Sequence, residues 1–191
     1  QNGLDDIIFG TDSKNLYVVL DNGTVAQNFP IELGDKLQGD PAIYITNSNE
    51  KVILLGCKDE NFYGINYSDA SLRFLIPTGD DIFTSPSFYN NDIYFGSDDG
   101  NIYASDINGN ILNGFPINVE SPVSGSIVFS DINGDGMPNM FFGTESGKIF
   151  AFDENQQSLD YFPIIYQYGI SSSIQIIDFD NDGDAELIAG S

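Results

Sequence analysis

Met140-Phe141-Phe142-Gly143-Thr144 decides the reading of the fold, because the chain contains four more runs like it. They are Ile7-Ile8-Phe9-Gly10-Thr11, Ile53-Leu54-Leu55-Gly56-Cys57, Ile93-Tyr94-Phe95-Gly96-Ser97 and Leu187-Ile188-Ala189-Gly190-Ser191, each an apolar run closed by glycine and a small residue. The spacings between successive glycines are 46, 40, 47 and 47 residues. Short apolar strands returning at that period point to a propeller, whose blades are four-stranded sheets, rather than to a sandwich, which does not repeat its sequence.

The same features surround each run in the same order. After a polar turn comes a second strand, at Asn15 to Leu20, Asn61 to Tyr67, Asn101 to Ser105 and Lys148 to Phe152. A third strand is marked by an aromatic and proline element, Phe29-Pro30-Ile31, Phe115-Pro116-Ile117 and Phe162-Pro163-Ile164, with Phe74-Leu75-Ile76-Pro77 as a variant. Small residues then lead into a fourth strand, as at Ser121 to Ser130 and Ser171 to Asp178. Turn dipeptides such as Asn-Gly and Asn-Asn break the pattern too often for long helices. The expected fold is all-β: one β-propeller segment over residues 1–191, with about four four-stranded blades, belonging to a larger propeller. The repeat units run approximately 4–49, 50–91, 92–139 and 140–186, and 187–191 starts a fifth.

Composition narrows the function. Hydrophobic residues make up 41% of the 191, enough for a core, while 29 acidic against 6 basic residues leave a net charge of −23. Such a surface repels a phosphate backbone, which sets nucleic acid aside, and it suits calcium-containing, extracellular surroundings. No apolar run reaches the roughly 20 residues of a membrane helix. The single cysteine, Cys57, holds the position of Thr11, Ser97, Thr144 and Ser191 and is expected to be a packing residue. With no histidine in the chain, nothing of that kind would activate it.

The sharpest chemistry precedes two of the glycine-marked strands. Asp131-Ile132-Asn133-Gly134-Asp135-Gly136-Met137-Pro138-Asn139 and Asp178-Phe179-Asp180-Asn181-Asp182-Gly183-Asp184-Ala185-Glu186 share one scheme, offset by 47 residues. Calcium takes 6 to 8 oxygens, and oxygens at alternate positions of a tight loop converge on one point, with glycine at position 6 allowing the turn. The expected ligands are Asp131, Asn133, Asp135, the Met137 carbonyl and Asn139 in one loop. In the other they are Asp178, Asp180, Asp182, the Asp184 carbonyl and Glu186. Turn residues alone would account for one such stretch but not for two in phase. About two calcium ions are expected, the second loop binding more tightly because it carries more formal charge.

These loops, each followed by an apolar strand ending in glycine and a small residue, resemble the FG-GAP repeats of integrin α-subunit propellers and of many secreted bacterial proteins. The resemblance is specific in the last two units. Tyr44, Thr46, Ser48 and Val52 stand at the ligand positions of the second unit, and Asn90-Asn91 makes a short hairpin in the third, so these are expected to be calcium-free. Aligning Gly10 with Gly143 places Asn2, Gly3 and Asp6 on Asp135, Gly136 and Asn139, as though the sequence opens inside a third loop.

The resemblance implies a calcium-stabilised, secreted or cell-surface module that binds or scaffolds a protein or glycan without catalysis. The alternative is the accessory propeller of a secreted polysaccharide-processing enzyme. A quinone-dependent dehydrogenase propeller is disfavoured, since its repeats use tryptophan and this chain has none. Turns such as Gly79-Asp80-Asp81 and Ser97-Asp98-Asp99-Gly100 are expected to be solvated rather than catalytic. Tyr17, Tyr63, Tyr67, Tyr103, Tyr161, Tyr166 and Tyr168 could stack on sugars, although most are expected to fill space between blades. Open blade edges could also pair two copies into a closed ring, a homodimer.

Overall fold

A computed structural model of the chain describes residues 5–182 and 185–191. Its described residues form strands and turns without a helix, in five antiparallel sheets. The first sheet is β1 (Ile7–Gly10), β2 (Asn15–Val19) and β3 (Ile31–Glu32). The second is β4 (Ala42–Ile45), β5 (Lys51–Gly56), β6 (Asn61–Asn66) and β7 (Leu72–Pro77). In the third are β8 (Ser87–Tyr89), β9 (Asp92–Gly96), β10 (Asn101–Ser105) and β11 (Ile117–Asn118). The fourth holds β12 (Val123–Ser130), β13 (Asn139–Thr144), β14 (Lys148–Phe152) and β15 (Ile164–Ile165). The fifth pairs β16 (Gln175–Ile177) with β17 (Glu186–Ile188). Strands follow sequence order across every sheet, the up-and-down order of a propeller blade.

Hydrogen bonding groups the strands one place out of phase with the repeat units bounded at 4–49, 50–91, 92–139 and 140–186. Each unit's fourth strand pairs with the glycine-marked strand that follows, as β4 pairs with β5 and β12 with β13. A sequence period has no intrinsic phase; the ladders supply one. The last strands of three sheets, β3, β11 and β15, have only two residues, each following a cis Phe-Pro bond.

The sheets pack face to face, which explains why the glycine-marked strands read as continuous rather than alternating apolar runs. In β5, Ile53 and Leu55 join Leu16 and Val18 of the first sheet, while Val52 and Leu54 join Ile93 and Phe95 of the third. In β13, Met140 and Phe142 face the third sheet, and Phe141 packs with Ile174, Ile176 and Leu187 of the fifth. The outermost sheets each leave a face uncovered, where Ile7 is 63% and Ile188 45% exposed.

Between blades, one device repeats. The chain leaving each of the first four sheets lays an apolar side chain on the glycine of that sheet, from the connector or, for Val123, from the start of β12: Leu37 on Gly10, Ile82 on Gly56, Val123 on Gly96 and Ile170 on Gly143. The same residues donate their backbone N–H groups to the carbonyls of Thr11, Cys57, Ser97 and Thr144, at 3.0–3.3 Å. Glycine is required because any Cβ there would overlap the connector side chain.

Candidate metal loops

Gly134 and Gly136, both at positive φ (73° and 86°), turn the first loop so that their N–H groups donate to the two carboxylate oxygens of Asp131, each at 2.8 Å. Met137 N–H donates to Asp135 Oδ1 at 2.8 Å, and Asn133 Nδ2 to Asp135 Oδ2 at 2.8 Å. The loop is closed by Asn139, whose Oδ1 accepts the Ile132 N–H at 3.3 Å. Asn139 is fully buried, and its Nδ2 has no partner among the described residues.

The second loop closes identically one repeat later: Phe179 N–H donates to Glu186 Oε2 at 2.7 Å. Asp182 N–H bridges Asp178 Oδ1 (3.2 Å) and Asp180 Oδ1 (3.3 Å), and Asn181 takes positive φ. One oxygen each from Asp178, Asp180 and Glu186 lie within 4.8 Å of one another. That is a convergent, all-oxygen donor set, the chemistry of a hard divalent cation. Asp184, whose carbonyl is an expected ligand, and Gly183 lie outside the described residues. In the first loop the Asp131 and Asp135 carboxylates are likewise engaged by backbone and amide donors.

The first three sheets treat the corresponding place differently. Asn2 and Gly3 lie outside the described residues, but Asp6 accepts the Tyr67 hydroxyl at 2.7 Å, tying the first sheet to the second. Burial and that acid push the Tyr67 hydroxyl up to about 12. In the second sheet Thr46 and Ser48 bond each other at 2.9 Å. In the third, Asn90 and Asn91 both take positive φ in a two-residue turn between β8 and β9.

The acidic turns do more than face solvent. Asp99 accepts the Tyr103 hydroxyl (2.6 Å) and the Gly79 N–H (2.9 Å), bracing the second sheet against the third. Asp81 pairs with Lys58 at 2.7 Å. Asp98 is pushed up to about 6, by burial first and then by Glu145, Asp80 and Asp81. Sequence reasoning missed this because the neighbours come from two other turns, distant in sequence. Cys57 is fully buried beside the Asp35 carbonyl, and burial raises its thiol to about 11, in keeping with a packing role. Of the tyrosines, Tyr63 and Tyr103 are interior, whereas Tyr161, Tyr166 and Tyr168 are exposed.

Residues 131–189, which span both loops, match the FG-GAP-like repeat family. The match covers 59 of the 191 residues. The all-β fold around it is that of a propeller, and the whole chain superposes on solved structures of the same type. One is BBS1N in complex with ARL6DN soaked with lead, at a TM-score of 0.66 and 11% identity over 96% of this chain. Another is the same complex soaked with mercury, at a TM-score of 0.68 and 12% identity over 99%. At such identity the likeness is one of fold. The chain spans 56% and 59% of the length of those two solved chains. No curated protein matches the sequence. No helix among the described residues is long and apolar enough to cross a membrane.

Proposed function

We propose that this FG-GAP-like propeller segment is a calcium-stabilised, non-catalytic binding or scaffolding module that works outside the cell or at its surface and engages a protein or glycan. The observation that carries the metal part is the convergence of Asp178, Asp180 and Glu186 in a loop that shares its closing hydrogen bond with the loop at Asp131 to Asn139. When bound, calcium would screen the carboxylates of each loop and pin two strands. The chain's own part is to hold the oxygens in place through the backbone bonds described above. Support for a protein ligand comes from the propeller fold shared with BBS1N, which was solved with ARL6DN bound. The uncovered faces of the first and fifth sheets are where further blades, or a second copy in a homodimer, would pack.

Calorimetric calcium titration with parallel melts in calcium and in chelator tests the reading. About two ions, a higher melting temperature with calcium, and the loss of one ion in each of Asp135→Ala and Asp182→Ala are expected. Absence of binding and of any shift in melting would reduce both loops to acidic turns.

A further inference from the structure

A cleft of about 260 Å3 lies between the third and fourth sheets. Its floor is aromatic: Phe129 stacks on Tyr89 with centroids 5.1 Å apart, and Tyr94 meets Phe129 and Phe115 edge-on at 4.9 and 5.8 Å. Its rim carries Asp92 and Glu154. The ion pairs among the described residues are Lys14–Asp35, Lys58–Asp81 and Arg73–Glu50, and none reaches this rim.

Two further observations indicate what is missing. Tyr94 is only 9% exposed, and its hydroxyl, open to the cleft, has no hydrogen-bond partner among the described residues. By contrast, the buried hydroxyls of Tyr63 and Tyr103 are each donated to a carboxylate, of Asp59 and Asp99. A hydroxyl that opens on a cleft and has no partner in the protein is available to a polar group that enters. Asp92 lines the same cleft, its carboxyl held above the ordinary range by burial and then by Asp106.

The second observation is the preceding blade interface, where the chain fills the same corner itself. Arg73 of β7 donates from Nε to the Ile107 carbonyl (3.0 Å), and from a terminal nitrogen to Glu50 Oε2 and Asn66 Oδ1, both at 3.3 Å. With the strand glycines aligned, one repeat later Glu50, Asn66 and Ile107 become Asn90, Asp106 and Glu154, and Arg73 becomes Asn113. Asn90, Asn113 and Glu154 all line the cleft. The corner has exchanged the acid at Glu50 for two others, Asp106 and Glu154, and has lost the arginine.

We propose that this cleft receives an arginine side chain of a protein partner, its guanidinium between Asp92 and Glu154 and its stem against Tyr94, Phe129 and Met140. This deepens the binding-module reading and rests on it. The Tyr94 oxygen would accept from the guanidinium, and the aromatic faces add cation–π attraction. An apolar plug would leave Asp92 and the Tyr94 hydroxyl unmet, and an anion would be repelled. With 29 acidic residues against 6 basic, the chain also steers a basic partner toward itself.

The two methionines make a direct test, because Met140 lies in the cleft and Met137 outside it. The full chain, carrying 13C in its methionine methyls, is titrated with acetyl-Gly-Arg-Gly-amide, with the citrulline analogue and with N-acetylglucosamine. The Met140 signal should shift saturably with the arginine peptide alone, while Met137 stays still. Asp92→Asn should weaken binding at least about fivefold. Asn113→Arg should abolish it by supplying the missing side chain, and should shift Met140 before any peptide is added; it serves as the second variant if Asp92→Asn does not fold. An unmoved Met140, equal binding of the citrulline peptide, or a response to the sugar instead of arginine would overturn the proposal. The second loop shares no residue with the cleft, so calcium bound there while arginine fails would sink this inference alone.

Discussion

Ile82 rests its side chain on the bare α-carbon of Gly56 and donates its N–H to the Cys57 carbonyl, 3.3 Å away. The pair joins the second blade to the connector that opens the third, and three other glycines repeat it. The glycine that makes the repeat visible is therefore a packing glycine at a blade junction.

Gly56→Ala should destabilise the chain by about 1–3 kcal/mol, the range for overpacking, because Ile82 cannot withdraw without leaving the core it shares with Phe62 and Phe95. Ile82→Ala alone should cost about 2–5 kcal/mol as a cavity. The double variant should be less unstable than the sum of the two, since the alanine at 56 partly fills the space Ile82 leaves. Urea unfolding of the four chains gives the coupling directly. Strict additivity would mean that the two side chains do not share a site.

At Asn139 the prediction concerns both stability and metal. The side chain is fully buried, its oxygen accepts the Ile132 N–H, and its Nδ2 has no partner among the described residues. Asn139→Asp replaces that nitrogen by an oxygen and gives the first loop the closing acid that the second has in Glu186. In chelator the variant should melt lower, because a buried charge is uncompensated. With calcium the loss should be reversed, and the first loop's affinity should rise about tenfold by calorimetry. A variant indifferent to calcium would remove the first loop from the metal sites.

The period, the fold and the two loops were legible in the sequence because their residues are of fixed type: glycine at each blade junction, oxygens at alternate loop positions. The partners of those glycines were not. Leu37, Ile82, Val123 and Ile170 differ in type and lie 26 or 27 residues downstream, so only the packed structure shows that they do one job. The phase of the blades was hidden for a similar reason, since β12 belongs with β13 only through the ladder from Ser130–Asn139 to Val123–Thr144. Asp98 and the cleft beside Tyr94 depend on turns brought together from different blades, which no local pattern records.

Cys57 offers a check on the core. Its thiol is fully buried and raised to about 11, so a thiol reagent at pH 8 should label it only as fast as the chain opens. Ser97 holds the equivalent position, with its hydroxyl directed at the Asp80 and Asp81 carbonyls. Cys57→Ser should therefore cost less than about 1 kcal/mol, its hydroxyl donating to the Asp35 carbonyl that the thiol now faces. Rapid labelling of the native chain would contradict the packing of the first interface.

The last prediction follows from Asp98, whose carboxyl titrates near 6 in the folded chain because of burial and the charges of Glu145, Asp80 and Asp81. In the unfolded chain it returns to about 4, the ordinary value for aspartate. Between about pH 4 and 6 the folded state thus binds a proton that the unfolded state does not, and this group's contribution lowers stability as pH rises through that window. Above it the folded chain carries an unfavourable charge. Asp98→Asn should stabilise the protein at pH 7.5 by about 1 kcal/mol, less than the shift alone would suggest because the site is partly open to solvent and screened. The gain should vanish near pH 4, where the native carboxyl is already protonated. Melts of the two chains across that range decide it: a difference that does not shrink on acidification would show that the Asp98 charge is not the cause.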